Sequence, residues 1–200
     1  MRIMIEESYQ QLRQDLDLQP IVEKWGRCNL KPGENYYWEL VRSILAQQIS
    51  TKVAQKLGAR FLEYFQGDVT PVAVSCSSAE ELRCLGVSAR KAETILTIAF
   101  QCQQGKINLN ELDNKSDQEI QTELTKVKGI GSWTVTMFLI FALNRPRVVP
   151  SADFGIRKAI QIIYGLEELP SPAMVDEYYR AWKPHESAVS WYLWRSLENN

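Results

Sequence analysis

Signals that start and stop helices recur along this chain about every ten to twenty residues, leaving almost no room for strands. Pro20 opens "PIVEKW" and Gly26 closes it. Asn35 precedes "YYWELVRSILAQQ", in which Trp38, Val41, Ile44 and Leu45 share one helical face. Ser50 is placed to cap "TKVAQKLGARFLEYF", which Gly67 ends, and Ser88 leads "ARKAETILTIAFQCQQ" to Gly105. The runs from Ser78 to Glu81 and from Ser116 to Glu119 are capping boxes, in which hydroxyl and carboxylate each satisfy a backbone N–H of the first turn. Only "RPRVVPSA" reads as extended, because its two prolines disfavour helix. The pattern predicts an all-α fold, with no internal repeat and no linker long enough to mark a domain boundary.

At 200 residues the chain is long enough to bury a substantial core, and 45% hydrophobic with 24% charged residues is ordinary for a globular protein. Its longest apolar run, "VTMFLIFAL", is too short to span a bilayer, and the first ten residues do not read as a secretory signal. Cys28, Cys76, Cys84 and Cys102 form no C-x-x-C pair and no zinc or iron–sulfur spacing, which points to free thiols in a reducing, cytoplasmic compartment. Net charge is −1, but charge is segregated. Arg42, Lys52, Lys56 and Arg60 lie between Leu40 and Arg60 without an acid, and from Leu124 to Lys158 Asp153 is the lone acid among six basic residues. Such segments suit a surface that faces a polyanion.

Within the second segment, "VKGIGSWTVTMF" breaks one helix and starts another. Gly129 and Gly131 permit a tight turn and a close approach, and the helix opening at Ser132 offers unpaired N–H groups to an anion. Asp153 follows the rigid, apolar "VVPSA" and stands where a helix N-cap belongs. A carboxylate held there with little water is suited to stabilising a developing positive charge, and capping is compatible with that role.

The fragments "ELVRSILAQQISTKVAQKL", "LRCLGVSARKAETI", "KGIGSWTVTMF", "RPRVVPSADFGIRKA" and "WKPHESAVSWYLW", in this order, resemble the helix-hairpin-helix DNA glycosylases, and within them the alkylation-repair, DNA-3-methyladenine glycosylase II branch. The resemblance runs from about residue 15 to residue 197. It implies a single two-lobed domain over 1–200, with a central lobe near 50–145 that includes hairpin 127–131. Segments 1–49 and 146–200 then form a second lobe, with the active site between the two. It also implies the chemistry: an alkylated purine is flipped from duplex DNA and its N-glycosidic bond hydrolysed.

By the same resemblance Asp153 matches the catalytic aspartate, and Trp133, Met137, Phe154 and Trp194 match base-pocket positions, where aromatic faces suit a cationic base. Gly129, Ile130, Gly131, Ser132, Thr134 and Lys128 of the hairpin, with Gln47, Gln48, Ser50 and Lys52, match DNA-contacting positions, Gln48 being the first candidate to fill the hole that flipping leaves. A monovalent cation, Na+ or K+, is implied at the main-chain carbonyls of Thr125, Val127 and Ile130. Members that also cut the strand carry a Schiff-base lysine where Trp133 stands, so the resemblance implies a monofunctional enzyme. No cysteine follows Cys102, so no iron–sulfur cluster is expected, and no other cofactor is required. The implied partner is duplex DNA with alkylated bases, met by a monomer without a membrane. Lys128 departs from a proline, and Glu186 from an arginine, common in the family. Other readings are a non-catalytic helix-hairpin-helix binding module and a bifunctional glycosylase/lyase for oxidised bases; Trp133 opposes the latter.

Overall fold

In the computed structural model, which describes residues 3–198, twelve α-helices and two 3-10 turns account for the regular structure, and no strand occurs among the described residues. The helices are α1 (Ile5–Leu12), α2 (Gln19–Trp25), α3 (Tyr36–Leu45), α4 (Thr51–Tyr64), α5 (Pro71–Ser75), α6 (Ala79–Cys84) and α7 (Ala89–Gln103). After a 3-10 turn at Leu109–Asn114 come α8 (Asp117–Leu124), α9 (Ser132–Phe141), α10 (Phe154–Ile163) and α11 (Pro172–Tyr179). A second turn, Arg180–Trp182, leads to α12 (Glu186–Ser196). The all-α expectation holds.

The expected caps form. Asn35 accepts the Trp38 N–H, Ser50 that of Val53 and Ser88 that of Lys91, and both capping boxes close in both directions. α8 stops at Leu124. Lys126 and Val127 then bond back to Glu123 and Leu124 in tighter i→i−3 turns.

The chain divides into two compact units, Gly33–Phe138 and the remainder to either side. The stretch from Gly33 to Ile49, expected with the terminal segments, falls in the central unit. There α7 packs on α3, α5 and α6, and α3 also packs on α4. Leu40, Ile44, Phe61, Leu82, Ile95, Ile98, Ile120, Leu124, Val135 and Phe138 are fully buried. Trp38 stacks on Phe61 with ring centroids 5.9 Å apart.

In the other unit α12 packs on α1, α2 and α10. α12 also anchors the extended "RPRVVP". The Ser187 hydroxyl donates to the Arg145 carbonyl at 2.6 Å and accepts the Val148 N–H, and the Ser187 N–H donates to Pro146 O. Beyond α9, Asn144 sits at φ 52 and the Arg145 N–H reaches back to Leu139 O at 2.9 Å, which turns the chain out of the helix. A final turn, Asp153 N–H to Pro150 O at 2.9 Å, sets the aspartate at the head of α10.

Candidate active site

Asp153 is 9% exposed and caps α10: its Oδ1 accepts the Ile156 N–H at 2.9 Å. The same oxygen accepts the indole N–H of Trp194 at 2.9 Å. Trp194 is itself stacked on Phe141, with centroids 5.4 Å apart and planes at 29°. The carboxylate is thereby fixed from two directions, by a helix N-terminus and by an aromatic donor. Gly155 completes this arrangement and was not legible in the sequence. A Cβ there would lie 3.1 Å from both Asp153 Oδ1 and Trp194 Cδ1, so any side chain crowds the pair. Two flanking groups of this unit are buried: burial pushes the Tyr179 phenol up, and its hydroxyl meets Ser190 Oγ at 2.9 Å.

The pocket positions differ in environment. Phe154, beside the aspartate, is 67% exposed; Trp133 is half-buried, and Met137 is 5% exposed. Trp133 and Met137 stand on the first turns of α9 in the central unit, whereas Asp153, Phe154 and Trp194 belong to the other. Two open concavities of about 390 and 570 Å³ are lined by residues that include Tyr164, Tyr178 and Trp182, and Arg147, Lys183 and Glu186; neither includes Asp153.

The hairpin shows why its two glycines are not equivalent. Gly129 sits at φ +99, and a Cβ would lie 2.0 Å from the Thr94 hydroxyl, which donates to Lys128 O. Gly131 has no positive φ and nothing within 4 Å of its would-be Cβ. The fold requires glycine at 129 and leaves 131 open. Lys128, Gly131 and Ser132 are exposed, while Ile130 is buried and its N–H closes the turn on Val127 O at 3.0 Å.

Two contacts expected from these segments are absorbed by the protein itself. The Gln47 amide donates to Gly129 O at 3.0 Å and to Thr134 Oγ1 at 2.8 Å. Thr134 is 1% exposed, so its hydroxyl faces Gln47 and not solvent. Gln48, at φ 55, Ser50 and Lys52 are exposed. Arg42 is partly neutralised by Glu39 at 3.0 Å, an acid just outside the stretch that reads as uniformly basic. Glu186 is buried at the first position of α12, its Oε2 without a hydrogen-bond partner. His185 beside it meets Ser8 Oγ and Gln11 Oε1 at 2.8 and 2.7 Å. No cluster of three or more His, Cys, Asp or Glu able to hold a metal occurs among the described residues.

The description "HhH-GPD superfamily base excision DNA repair protein" matches residues 41–185. The chain belongs to the HhH-GPD superfamily. Among superfamily relatives, DNA-3-methyladenine glycosylase 1 of Schizosaccharomyces pombe is 32% identical over 195 residues, covering 91% of this chain and 86% of that one. The putative DNA-3-methyladenine glycosylase YfjP of Bacillus subtilis is 34% identical over 188 residues, covering 90% of this chain, which spans 66% of that protein. The solved structure of the S. pombe 3-methyladenine DNA glycosylase in complex with abasic DNA superposes with a TM-score of 0.85, covering 95% of this chain and 96% of that one. This HhH-GPD chain has no helix among its described residues long and apolar enough to cross a membrane.

Proposed function

We propose that the protein is a monofunctional DNA glycosylase of base-excision repair that flips alkylated purines, of the 3-methyladenine and 7-methylguanine type, out of duplex DNA and hydrolyses their N-glycosidic bonds. The observation that carries this reading is near full-length similarity to a 3-methyladenine DNA glycosylase solved with abasic DNA, the product of base removal, together with a buried aspartate held by an indole at the head of a helix.

The chemistry follows from the residues. Alkylation places positive charge on the purine, so the base leaves without a strong acid to protonate it. As the bond from the sugar C1′ to the base nitrogen breaks, its electron pair neutralises the base and the sugar acquires oxocarbenium character. The Asp153 carboxylate stabilises that cation. Water adds to C1′ and loses a proton, giving the abasic site and the free base. Trp133 stands where an amine would be needed for a Schiff base, so water is the nucleophile. The faces of Trp133, Phe154 and Trp194 suit a cationic purine; the burial of Met137 favours a packing role within its own unit.

The hairpin binds the strand through main-chain N–H groups at Gly131, Ser132 and Thr134, and the bare Cα of Gly131 lets a phosphate approach. Lys128, Ser50 and Lys52 supply exposed polar and cationic contacts, and the exposed Gln48 fills the space the flipped base vacates. Neutral carbonyl oxygens at Thr125, Val127 and Ile130 fit Na+ or K+, and Val127 O keeps a second lone pair beside its bond to Ile130. Such an ion would add positive charge near the phosphate. The reaction as drawn needs no cofactor, and the protein acts as a cytoplasmic monomer.

The test is single-turnover release of bases from methylated duplex DNA by the wild type and by Asp153→Asn. Asparagine caps a helix as well as aspartate does, so the variant keeps its fold and tests the charge alone. Release of alkylpurine that collapses in the variant while DNA binding persists supports the reading. DNA binding without release from any lesion refutes it in favour of a non-catalytic module, and strand cutting without alkali refutes its monofunctional form.

A further inference from the structure

Outside the groups so far assigned a chemical role stands a half-buried lysine. Lys91, on α7, donates from Nζ to Leu45 O at 2.9 Å and to Gln47 O at 2.8 Å. These are carbonyls at the C-terminal end of α3, where intrahelical donors run out and the helix dipole places partial negative charge. Gln47 is then held a second time, through its side chain, by Gly129 O and Thr134 Oγ1. One helical step along, at i+3 on the same helix, the Thr94 hydroxyl shares its proton between Arg90 O of its own helix at 2.9 Å and Lys128 O at 3.1 Å. α7 thus carries two donors that grip two separate turns, the exit of α3 and the hairpin, and Gln47 bridges those turns directly. Directly after Gln47 the chain turns at Gln48, an exposed residue in the left-handed region. A residue other than glycine keeps that conformation where its surroundings over-determine it.

From this clamp we infer that Lys91 is a positioning residue for base extrusion: it fixes the Gln48 turn against the hairpin, so that the side chain entering the duplex and the main chain gripping the strand act as one rigid surface. The inference rests on the glycosylase reading and assigns a role within it. Extrusion costs least when the target base is already unpaired, so a defect in extrusion shows on a paired lesion and vanishes on an unpaired one. Burial holds the Lys91 pKa below its usual value, yet two carbonyl acceptors suit the ammonium form.

The experiment compares single-turnover release of the same alkylpurine from a fully paired duplex and from a duplex in which the lesion lies in a one-base bulge. Lys91→Met keeps the aliphatic stem and removes the donors. Its rate on the paired lesion should fall about 10- to 100-fold, the penalty of a slightly misplaced group, while its rate on the bulge stays within about threefold of wild type. Lys91→Arg should recover part of the loss. Gln47→Leu keeps the carbonyl that Lys91 grips but removes the amide that ties it to the hairpin, and should reproduce the ratio if Lys91→Met folds poorly. Added to Gln48→Ala, Lys91→Met should slow the paired reaction no further. Equal losses on both substrates, or additivity with Gln48→Ala, would make Lys91 a purely structural residue and overturn the inference. Wild-type silence on both substrates refutes the glycosylase reading and this role with it, whereas wild-type release with Lys91→Met unchanged refutes this role alone.

Discussion

Replacing Gly129 by alanine should cost far more than its single methyl group suggests. At φ +99 a residue with a Cβ loses about 1–2 kcal/mol. The new methyl would lie 2.0 Å from the Thr94 hydroxyl and 3.0 Å from its Cγ2, an overpacking that typically costs about 1–3 kcal/mol. Moving Thr94 aside also loses its bond to Lys128 O, worth about 1 kcal/mol. Together these give about 3–6 kcal/mol, on the order of 10 °C in Tm for a chain of this length. Urea and thermal unfolding of Gly129→Ala, Thr94→Ala and the double variant test the cause. In the Thr94→Ala background the hydroxyl and Cγ2 are gone and only the Cβ contact at 3.1 Å remains, so the glycine substitution should cost about 1–2 kcal/mol, chiefly the backbone part. An equal cost in both backgrounds would refute the steric reasoning. Gly131→Ala is the companion. With nothing within 4 Å and no positive φ, it should leave stability within about 0.5 kcal/mol. It should weaken DNA binding about tenfold, as expected for one charge-assisted hydrogen bond to a phosphate.

Trp194→Phe keeps most of the stacking on Phe141 but removes the donor to Asp153, and should slow base release about 10- to 100-fold at saturating enzyme with little change in DNA affinity. His185 has its folded-state pKa below the usual 6.5 because burial opposes the charged ring, against the pull of Glu7 and Glu186. A depressed pKa in a base means that the unfolded chain binds the extra proton. Stability from this site is therefore full above pH 6.5 and declines as pH falls through 6.5 toward the folded-state pKa, a decline that His185→Gln should flatten in urea titrations. In thiol titration with a disulfide reagent at pH 8, Cys76 and Cys84 should react fast, being exposed, whereas Cys28 and Cys102, pushed up to about 11 by burial, should react slowly.

What could be read from sequence was what neighbours in sequence decide. A serine or asparagine cap and its N3 partner lie three residues apart, so Asn35, Ser50, Ser78, Ser116 and Asp153 announce their hydrogen bonds directly. The turn from α8 to α9 was legible for the same reason. What could not be read depends on contacts between distant segments. Gln47 and Thr134 are polar residues in stretches expected to meet DNA, yet they satisfy each other across 87 positions. Lys91 looks like one more exposed helical lysine until the end of α3 is laid against α7. Gly155 reads as a neutral helix residue, and its need for glycine comes from Trp194, far along the chain. Arg42 counted as free positive charge because its partner Glu39 stands one residue before the window.

The shared duty of Asp153 bears on how this protein can change under selection. Reactive carboxylates usually set activity against robustness, since a neutral replacement often makes the protein more durable. Here the carboxylate oxygen also closes the first turn of α10 and receives the Trp194 indole, so its loss weakens the scaffold. A screen for thermal endurance alone would confine position 153 to short capping side chains, chiefly aspartate, asparagine and serine. A screen for repair would narrow that set to aspartate. Drift toward sturdiness therefore has few routes away from the working residue, and the helix it begins guards the chemistry by guarding itself.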